Sequence, residues 1–232
     1  MIPKKIHYCW FGKGEKPKLA KKCIASWKKY CPDYEIIEWN EDNFDINMNG
    51  YTRMCYAEKK YAFLSDYVRL LVVAEQGGIY FDTDVELLKN PDALLQKDAF
   101  FGFENEMRVA TGLGFGSVAH GTAIEAMLKE YDRFLDGTAG VSGCTKLNTA
   151  ALEQFGLQKS GTYQAVADAI ILPPDWLNPY ESTTGRLNKT QNTISVHWYS
   201  GAWLSPWQRL RSAIAKPLRR LFGKDFLKRF RK

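Results

Sequence analysis

The 232-residue chain is 45% hydrophobic and 14% aromatic, which excludes a disordered polymer and allows a sizeable core in one domain with an appendage. Its formal charge of +6 is unevenly placed. From Trp207 to Lys232 there are ten Lys/Arg against one acid, Asp225, so the preceding residues carry 22 bases and 25 acids, which argues against a basic nucleic-acid-binding body and predicts no nucleic-acid partner.

Met1 leads directly into "IPKKIHYCWFG", which lacks the apolar core of a secretory leader, and no later segment approaches the ~18 apolar residues of a membrane span. A cytoplasmic location is therefore expected. Cys9, Cys23, Cys31, Cys55 and Cys144 are scattered and never spaced C-x-x-C. They predict packed, reduced thiols rather than a disulfide framework or a zinc site.

"KIHYCWF" reads as a first strand, Lys18 to Tyr30 as a Lys-rich helix and "YEIIEW" as a second strand, the β-α-β opening of an α/β sheet. From Tyr61, Leu64, Val68, Leu71 and Val72 recur at helical spacing, and the pair Gly77-Gly78 ends that helix. The strand "IYF" then runs into Asp82. "DAFFGF" and "VATGLGFGSV" are predicted strands, and "TAIEAMLKEYDRFL" a helix ended by Gly137. A short strand at "AIILP", a loop rich in Pro, Asn and Gly, and "TISVHWYSGAW" close the body at residue 206. Over residues 207–232, Leu210, Ile214, Leu218, Leu221, Phe222 and Phe230 recur at near-helical intervals among basic residues, with Pro217 breaking the run in two. This is the composition of an interfacial helix on an anionic membrane, the alternative being a solubilising terminal helix.

Asp82 and Asp84 are one residue apart, so at a strand end both can turn toward one cation, and two hard oxygen ligands suit Mg²⁺ or Mn²⁺. Alone, D-x-D reads equally as a solvated turn. Here it follows a helix, a Gly-Gly turn and an apolar strand. Dehalogenase-like phosphatases also carry D-x-D after a strand, but early in the chain and with Thr or Val where this sequence has Glu86. The preceding "SDYVR" puts Ser65, Asp66 and Arg69 within little more than a turn. Asp66 and Arg69 share a helix face, either as an exposed ion pair or as donors and acceptors for a phosphate or sugar.

"IPKKIHYCWFG", "AFLSDYVRLLVVAEQGGIYFDTDVELL" and "HWYSGAW" together resemble the successive signatures of glycosyltransferase family 32, which contains capsular-polysaccharide and lipopolysaccharide transferases. The match runs from Ile2 to Trp203. The resemblance implies a glycosyltransferase-A fold, a Rossmann-like mixed α/β sheet flanked by helices. It also implies a nucleotide-diphosphate sugar as co-substrate, Mn²⁺ or Mg²⁺ at the D-x-D, and retention of anomeric configuration. Carried onto this chain, it implies that Trp10 flanks the base, that Asp66 and Arg69, with Ser65, bind the donor sugar, and that Tyr80 and Asp82 line ribose and sugar. Asp84 becomes the direct metal ligand, Asp82 supports it, His197 is the third metal contact, and Trp203 donates its indole N–H to the diphosphate. Two departures stand out. Ala202 replaces a family serine, for which Ser200 lies close enough to substitute, and "SGCTKLNT", Ser142 to Thr149, departs from the family's Gly-Pro and Thr.

The expected reaction moves a hexose or N-acetylhexosamine, from a UDP-sugar ahead of a GDP-sugar, to a glycan or lipid-linked glycan. The basic tail would hold the enzyme at the inner face of the cell membrane. Glu104 and Glu106 offer themselves as nucleophiles, but a solvated loop is the preferred reading, favouring same-face attack over double displacement. The alternatives are a metal-dependent phosphohydrolase with Asp82 as nucleophile, and a non-catalytic carbohydrate-binding protein using its seven tryptophans.

Overall fold

A computed structural model describes residues 1–201 and 206–223 of the chain. In chain order its strands and α-helices are β1 (Lys5–Cys9), α1 (Lys18–Tyr30), β2 (Glu35–Trp39), α2 (Gly50–Ala57), α3 (Tyr61–Gln76), β3 (Gly78–Tyr80) and β4 (Val85–Leu87). Then follow β5 (Ala99–Asn105), β6 (Arg108–Ala110), β7 (Phe115–Ser117), α4 (Thr122–Lys129), α5 (Cys144–Glu153), β8 (Gln164–Val166) and β9 (Ala169–Leu172). The last are α6 (Pro174–Leu177), β10 (Tyr180–Glu181), β11 (Arg186–Leu187), β12 (Ser195–His197) and α7 (Pro206–Phe222).

The main sheet has the order β2-β1-β3-β7-β5-β9-β8, with β6 paired to β5. β2, β1 and β3 are mutually parallel, as are β5 and β9, whereas β7 runs antiparallel to both of its neighbours. The sheet is therefore mixed, as the sequence predicts.

Alternation and helical periodicity explain the layers. Ala20, Cys23 and Trp27 of α1 are buried at helical spacing, and Cys23 and Trp27, with Ile6, Tyr8, Ile79, Phe81 and Leu172, form a core on one face of the sheet. The opposite core is built by Tyr51, Leu64, Val68, Val72, Met127, Tyr131, Leu152 and Phe101. Because α3 is enclosed between the sheet and its neighbouring helices, even its polar positions are drawn inward; Arg69 is 3% exposed.

Since β1 lies between β2 and β3, the chain leaves β1 in one direction for β2 and returns on its other side for β3. The carboxyl ends of β1 and β3 thus flank the topological switch point, where open α/β sheets bind ligands. Trp10 follows the first strand, and Asp82 the second.

Three local expectations are corrected. "VATGLGFGSV" is two short strands separated by a 3₁₀ turn, Thr111–Leu113, with Gly114 at φ 108°. A methyl group on Gly112 would lie 2.6 Å from Asp82 Oδ2, so the backbone there approaches the D-x-D in a way that only glycine permits. The helix "TAIEAMLKEYDRFL" ends at Lys129 and tightens into a 3₁₀ turn, Asp132–Phe134, well before Gly137. Asp82 and Asp84 do lie past a strand end, beyond β3, on a turn closed by Val85 N–H donating to the Asp82 carbonyl (2.9 Å). Finally, α7 is continuous across Pro217, because a proline removes one helical hydrogen bond without forcing a break. Phe230 lies outside the described residues.

Candidate active site

The site begins with the end of α3. Gly77 adopts φ 64° while its N–H still donates to Val73 O. This left-handed residue reverses the chain, so that β3 returns along α3 and brings Asp82 beside Arg69. The Arg69 guanidinium bridges Asp82 Oδ1 at 2.9 Å and Asp66 Oδ1 at 3.0 Å, and its Nε donates to the Ser65 carbonyl at 3.1 Å. Its remaining terminal nitrogen reaches Thr111 Oγ1 at 3.5 Å. Tyr80 lies beneath, with its ring 4.9 Å from the guanidinium carbon and its hydroxyl donating to Asp82 Oδ1 at 3.1 Å. The Asp66–Arg69 pair is thus buried, not an exposed surface bridge.

Asp84 turns the other way. Its Oδ1 is 3.1 Å from His197 Nε2, its Oδ2 accepts from Ser200 N–H at 2.7 Å, and its carbonyl accepts from Trp198 N–H at 3.0 Å. β12 delivers these groups by antiparallel pairing with β4, His197 opposite Val85. One ligand atom from each of Asp82, Asp84 and His197 falls within 4.8 Å of the others, and His197 Nδ1 is buried without a hydrogen-bond partner. Two carboxylates and an imidazole nitrogen fit a divalent cation, with the imidazole favouring Mn²⁺ over Mg²⁺.

Residues 17–101, from the start of α1 into β5, match the family described as "Glycosyltransferase sugar-binding region containing DXD motif". That block, which holds the D-x-D, is similar to the sugar-binding region of D-x-D glycosyltransferases. The "PaToxG Glycosyltransferase" structure superposes with a TM-score of 0.53 at 20% identity, over 66% of this chain and 69% of that one. Its likeness supports the glycosyltransferase-A arrangement of the sheet. "Subversion of eukaryotic traffic protein A" of Legionella pneumophila is 28% identical over 36% of this chain. The match spans only 17% of that relative's length.

Within this site the two aspartates carry opposite electrostatic burdens. Burial raises the Asp82 carboxyl above its ordinary range, with Arg69 opposing and Asp84 reinforcing the rise. At Asp84 burial acts in the same upward direction, but the His197 charge and the His197 and Ser200 hydrogen bonds outweigh it and hold the carboxyl well below that range. Burial works against a protonated His197, yet Asp84 outweighs it and raises the imidazole. Asp66 is pushed up to about 6 by burial, against the pull of Arg69 and with a push from Asp82.

The other predicted residues are distributed around this centre. Trp10 is half-buried at the switch point, its indole N–H donating to Gly14 O at 2.6 Å and its ring 5.6 Å from the Lys16 ammonium. Tyr80, 1% exposed, meets Arg69 and Asp82 from inside. Ser65 contributes its carbonyl, and Ser200 its backbone N–H. Trp203 and Ala202 lie outside the described residues. Glu106 is exposed, but Glu104 corrects the solvated-loop reading: it ends β5 half-buried and accepts from Tyr199 O–H at 3.3 Å. The Tyr199 ring is 4.1 Å from that of His197.

Sequence reasoning missed Thr111, Gly112 and Asn148. Asn148, on α5 within the divergent "SGCTKLNT", donates to Thr111 Oγ1 at 3.0 Å and is fully buried. The clue available was the glycine spacing in "ATGLGFG", which is unusual for an uninterrupted strand.

Proposed function

We propose that this chain is a metal-dependent, retaining glycosyltransferase. It transfers a hexose or N-acetylhexosamine from a nucleotide-diphosphate sugar, UDP- ahead of GDP-linked, to a glycan or lipid-linked glycan in surface-polysaccharide synthesis. The carrying observation is the convergence of Asp82, Asp84 and His197 at the switch point, beside a buried Asp66–Arg69–Asp82 bridge.

Asp84 and His197 would hold Mn²⁺ or Mg²⁺, with Asp82 supporting them. When bound, the cation supplies positive charge for the leaving diphosphate. Arg69 directs four of its five N–H donors at Asp66, Asp82, Ser65 O and Thr111, so its main role is to fix the two carboxylates toward the donor sugar. Asp66 accepts from sugar hydroxyls, Tyr80 steadies Asp82, and the half-buried face of Trp10 meets the base. In same-face attack the acceptor hydroxyl bonds to the anomeric carbon as the bond to the diphosphate breaks, and the acceptor's proton passes to the departing phosphate oxygen. The test is hydrolysis of a UDP-sugar panel with Mn²⁺. Asp84→Asn is expected to lower turnover by about 100-fold or more, the range for loss of a key transition-state charge contact; full activity in that variant, or in wild type after chelation, refutes the metal-dependent reading.

The division into a catalytic body, residues 1–206, and a basic tail, 207–232, belongs to the same proposal. No helix among the described residues is long and apolar enough to cross a membrane. On α7, Trp207, Ile214 and Leu221 are exposed and seven residues apart, which aligns them along one stripe. The other side meets the body: Ala215 is buried, Lys216 Nζ donates to Tyr180 O–H at 3.3 Å, and Arg186 donates to Arg220 O at 3.1 Å. An apolar stripe in a segment with ten basic residues suits the anionic inner leaflet. Flotation with phosphatidylserine vesicles is expected to retain the full chain and lose a chain ending at Pro206; equal partitioning refutes the anchor.

A further inference from the structure

Glu86, two residues beyond Asp84, is unused by the chemistry above. Val85 and Leu87 on either side are buried in the core, so Glu86 projects from the opposite face of β4. There its Oε2 accepts from Trp198 Nε1 at 2.9 Å and from Lys22 Nζ at 2.8 Å. The Lys22 ammonium also sits 5.6 Å from the Trp198 ring. Trp198 is the residue after His197, and its N–H donates to the Asp84 carbonyl.

The two strands joined by this contact differ in how they are held. β4 is pinned to α1 twice more, by Trp27 Nε1 donating to Val85 O at 2.8 Å and Leu87 N–H donating to Ser26 Oγ at 2.9 Å. β12 pairs with β4 through three residues, with one further backbone bond at each end, Leu88 N–H to Ile194 O at 2.8 Å and Trp198 N–H to Asp84 O at 3.0 Å, and a tie to α6 ahead of it, Ile194 N–H to Trp176 O at 2.7 Å; a two-stranded ribbon of that length is marginal by itself. After the Trp198 N–H to Asp84 O bond the chain bends sharply, with Tyr199 in the left-handed region at φ 49°, so β-pairing ends there. The side-chain contact from Trp198 to Glu86 therefore fixes the segment just where it must present His197 on one side and Ser200 N–H on the other to the Asp84 carboxylate.

We propose that Glu86 is a positioning residue for the cation site: with Lys22 it clasps Trp198 and thereby holds His197 and Ser200 against Asp84. The inference rests on the reading of Asp84 and His197 as the metal pair. Outer contacts that orient metal ligands govern affinity even though they never touch the ion.

The test is Mn²⁺ binding to the full chain, followed by electron paramagnetic resonance of the free ion, with thermal midpoints of the metal-free proteins measured alongside. Glu86→Ala is expected to weaken Mn²⁺ binding about tenfold, the lower end of what loss of an orienting contact costs. Trp198→Phe, which retains the ring but not the N–H, is expected to do the same, and the double variant to be no weaker than either single one, because both remove one interaction. Glu86→Gln keeps an acceptor for the indole and loses only the attraction of a well-exposed lysine, so its affinity stays within about fivefold of wild type.

Wild type that takes up no Mn²⁺ refutes the metal site itself and the clasp with it. Wild type that binds, with Glu86→Ala and Trp198→Phe binding equally well, refutes the clasp alone. Lowered midpoints with wild-type affinity in the folded variants assign Glu86 a structural role only and also overturn the proposal. If Glu86→Ala does not fold, the Trp198→Phe and Glu86→Gln affinities decide.

Discussion

The two sides of the D-x-D turn are assembled by different means. On the Arg69 side the Asp82 carboxylate is met by Arg69 of α3 and Tyr80 of β3, both close in sequence: one buried guanidinium bridges two carboxylates with a tyrosine ring beneath it. On the His197 side, Asp84 is met by a segment more than a hundred residues further along the chain, through a three-residue strand and a backbone N–H. The Arg69 side is organised by one enclosed cation that cannot be removed without stranding charge. The His197 side is a half-buried pair, His197 12% and Asp84 14% exposed, in which His197 Nδ1 has no hydrogen-bond partner. Under the proposed function, one half is built to stay fixed and the other to receive the cation.

That contrast predicts unequal costs. Arg69→Met leaves Asp66 and Asp82 buried without a counter-charge and is expected to destabilise the fold by about 3–5 kcal/mol, as removing one partner of a buried pair does. His197→Gln is expected to cost about 1 kcal/mol, because Asp84 keeps the Ser200 N–H and gains a neutral donor. Urea unfolding of the metal-free proteins checks both. Equal losses would break the distinction between a fixed half and a receiving half.

The same division governs what was legible in the sequence. α1 and α3 could be delimited from Lys18 to Tyr30 and from Tyr61 to the Gly77 cap because helical periodicity and a left-handed glycine are local signals. Asp66, Arg69, Asp82 and Asp84 could be gathered into one site because the helix, turn and strand that join them are contiguous. The burial of Arg69 was not legible: its i,i+3 spacing from Asp66 is the same for an exposed pair, and only packing of α3 between layers encloses it. Nor was the Thr111–Leu113 turn, since small and apolar residues there mimic a strand until Asp82 is known to occupy the space beside Gly112. Glu104 and Glu86 depend on partners 95 and 112 residues away. No local pattern encodes such pairs.

The pH dependence of stability sharpens the electrostatic side of the comparison. In the folded protein burial and the neighbouring Asp82 lift Asp66 from its ordinary 3.8 to about 6, although Arg69 pulls the other way, because one cation cannot fully offset two enclosed carboxylates. Between pH ~4 and ~6 the folded chain thus keeps a proton that the unfolded chain releases, so stability is highest at the acid end of this window and falls as pH rises through it. Asp82, also raised, adds a slope of the same sign. His197, raised from 6.5, loses its contribution only as pH climbs above that value, outside the window. Asp66→Asn cannot ionise and leaves Arg69 to Asp82 alone, which removes one slope and weakens the other. Urea midpoints across that pH range are accordingly expected to fall for wild type and to stay nearly flat for Asp66→Asn, and parallel declines in the two proteins would show that the shared guanidinium neutralises both carboxylates after all.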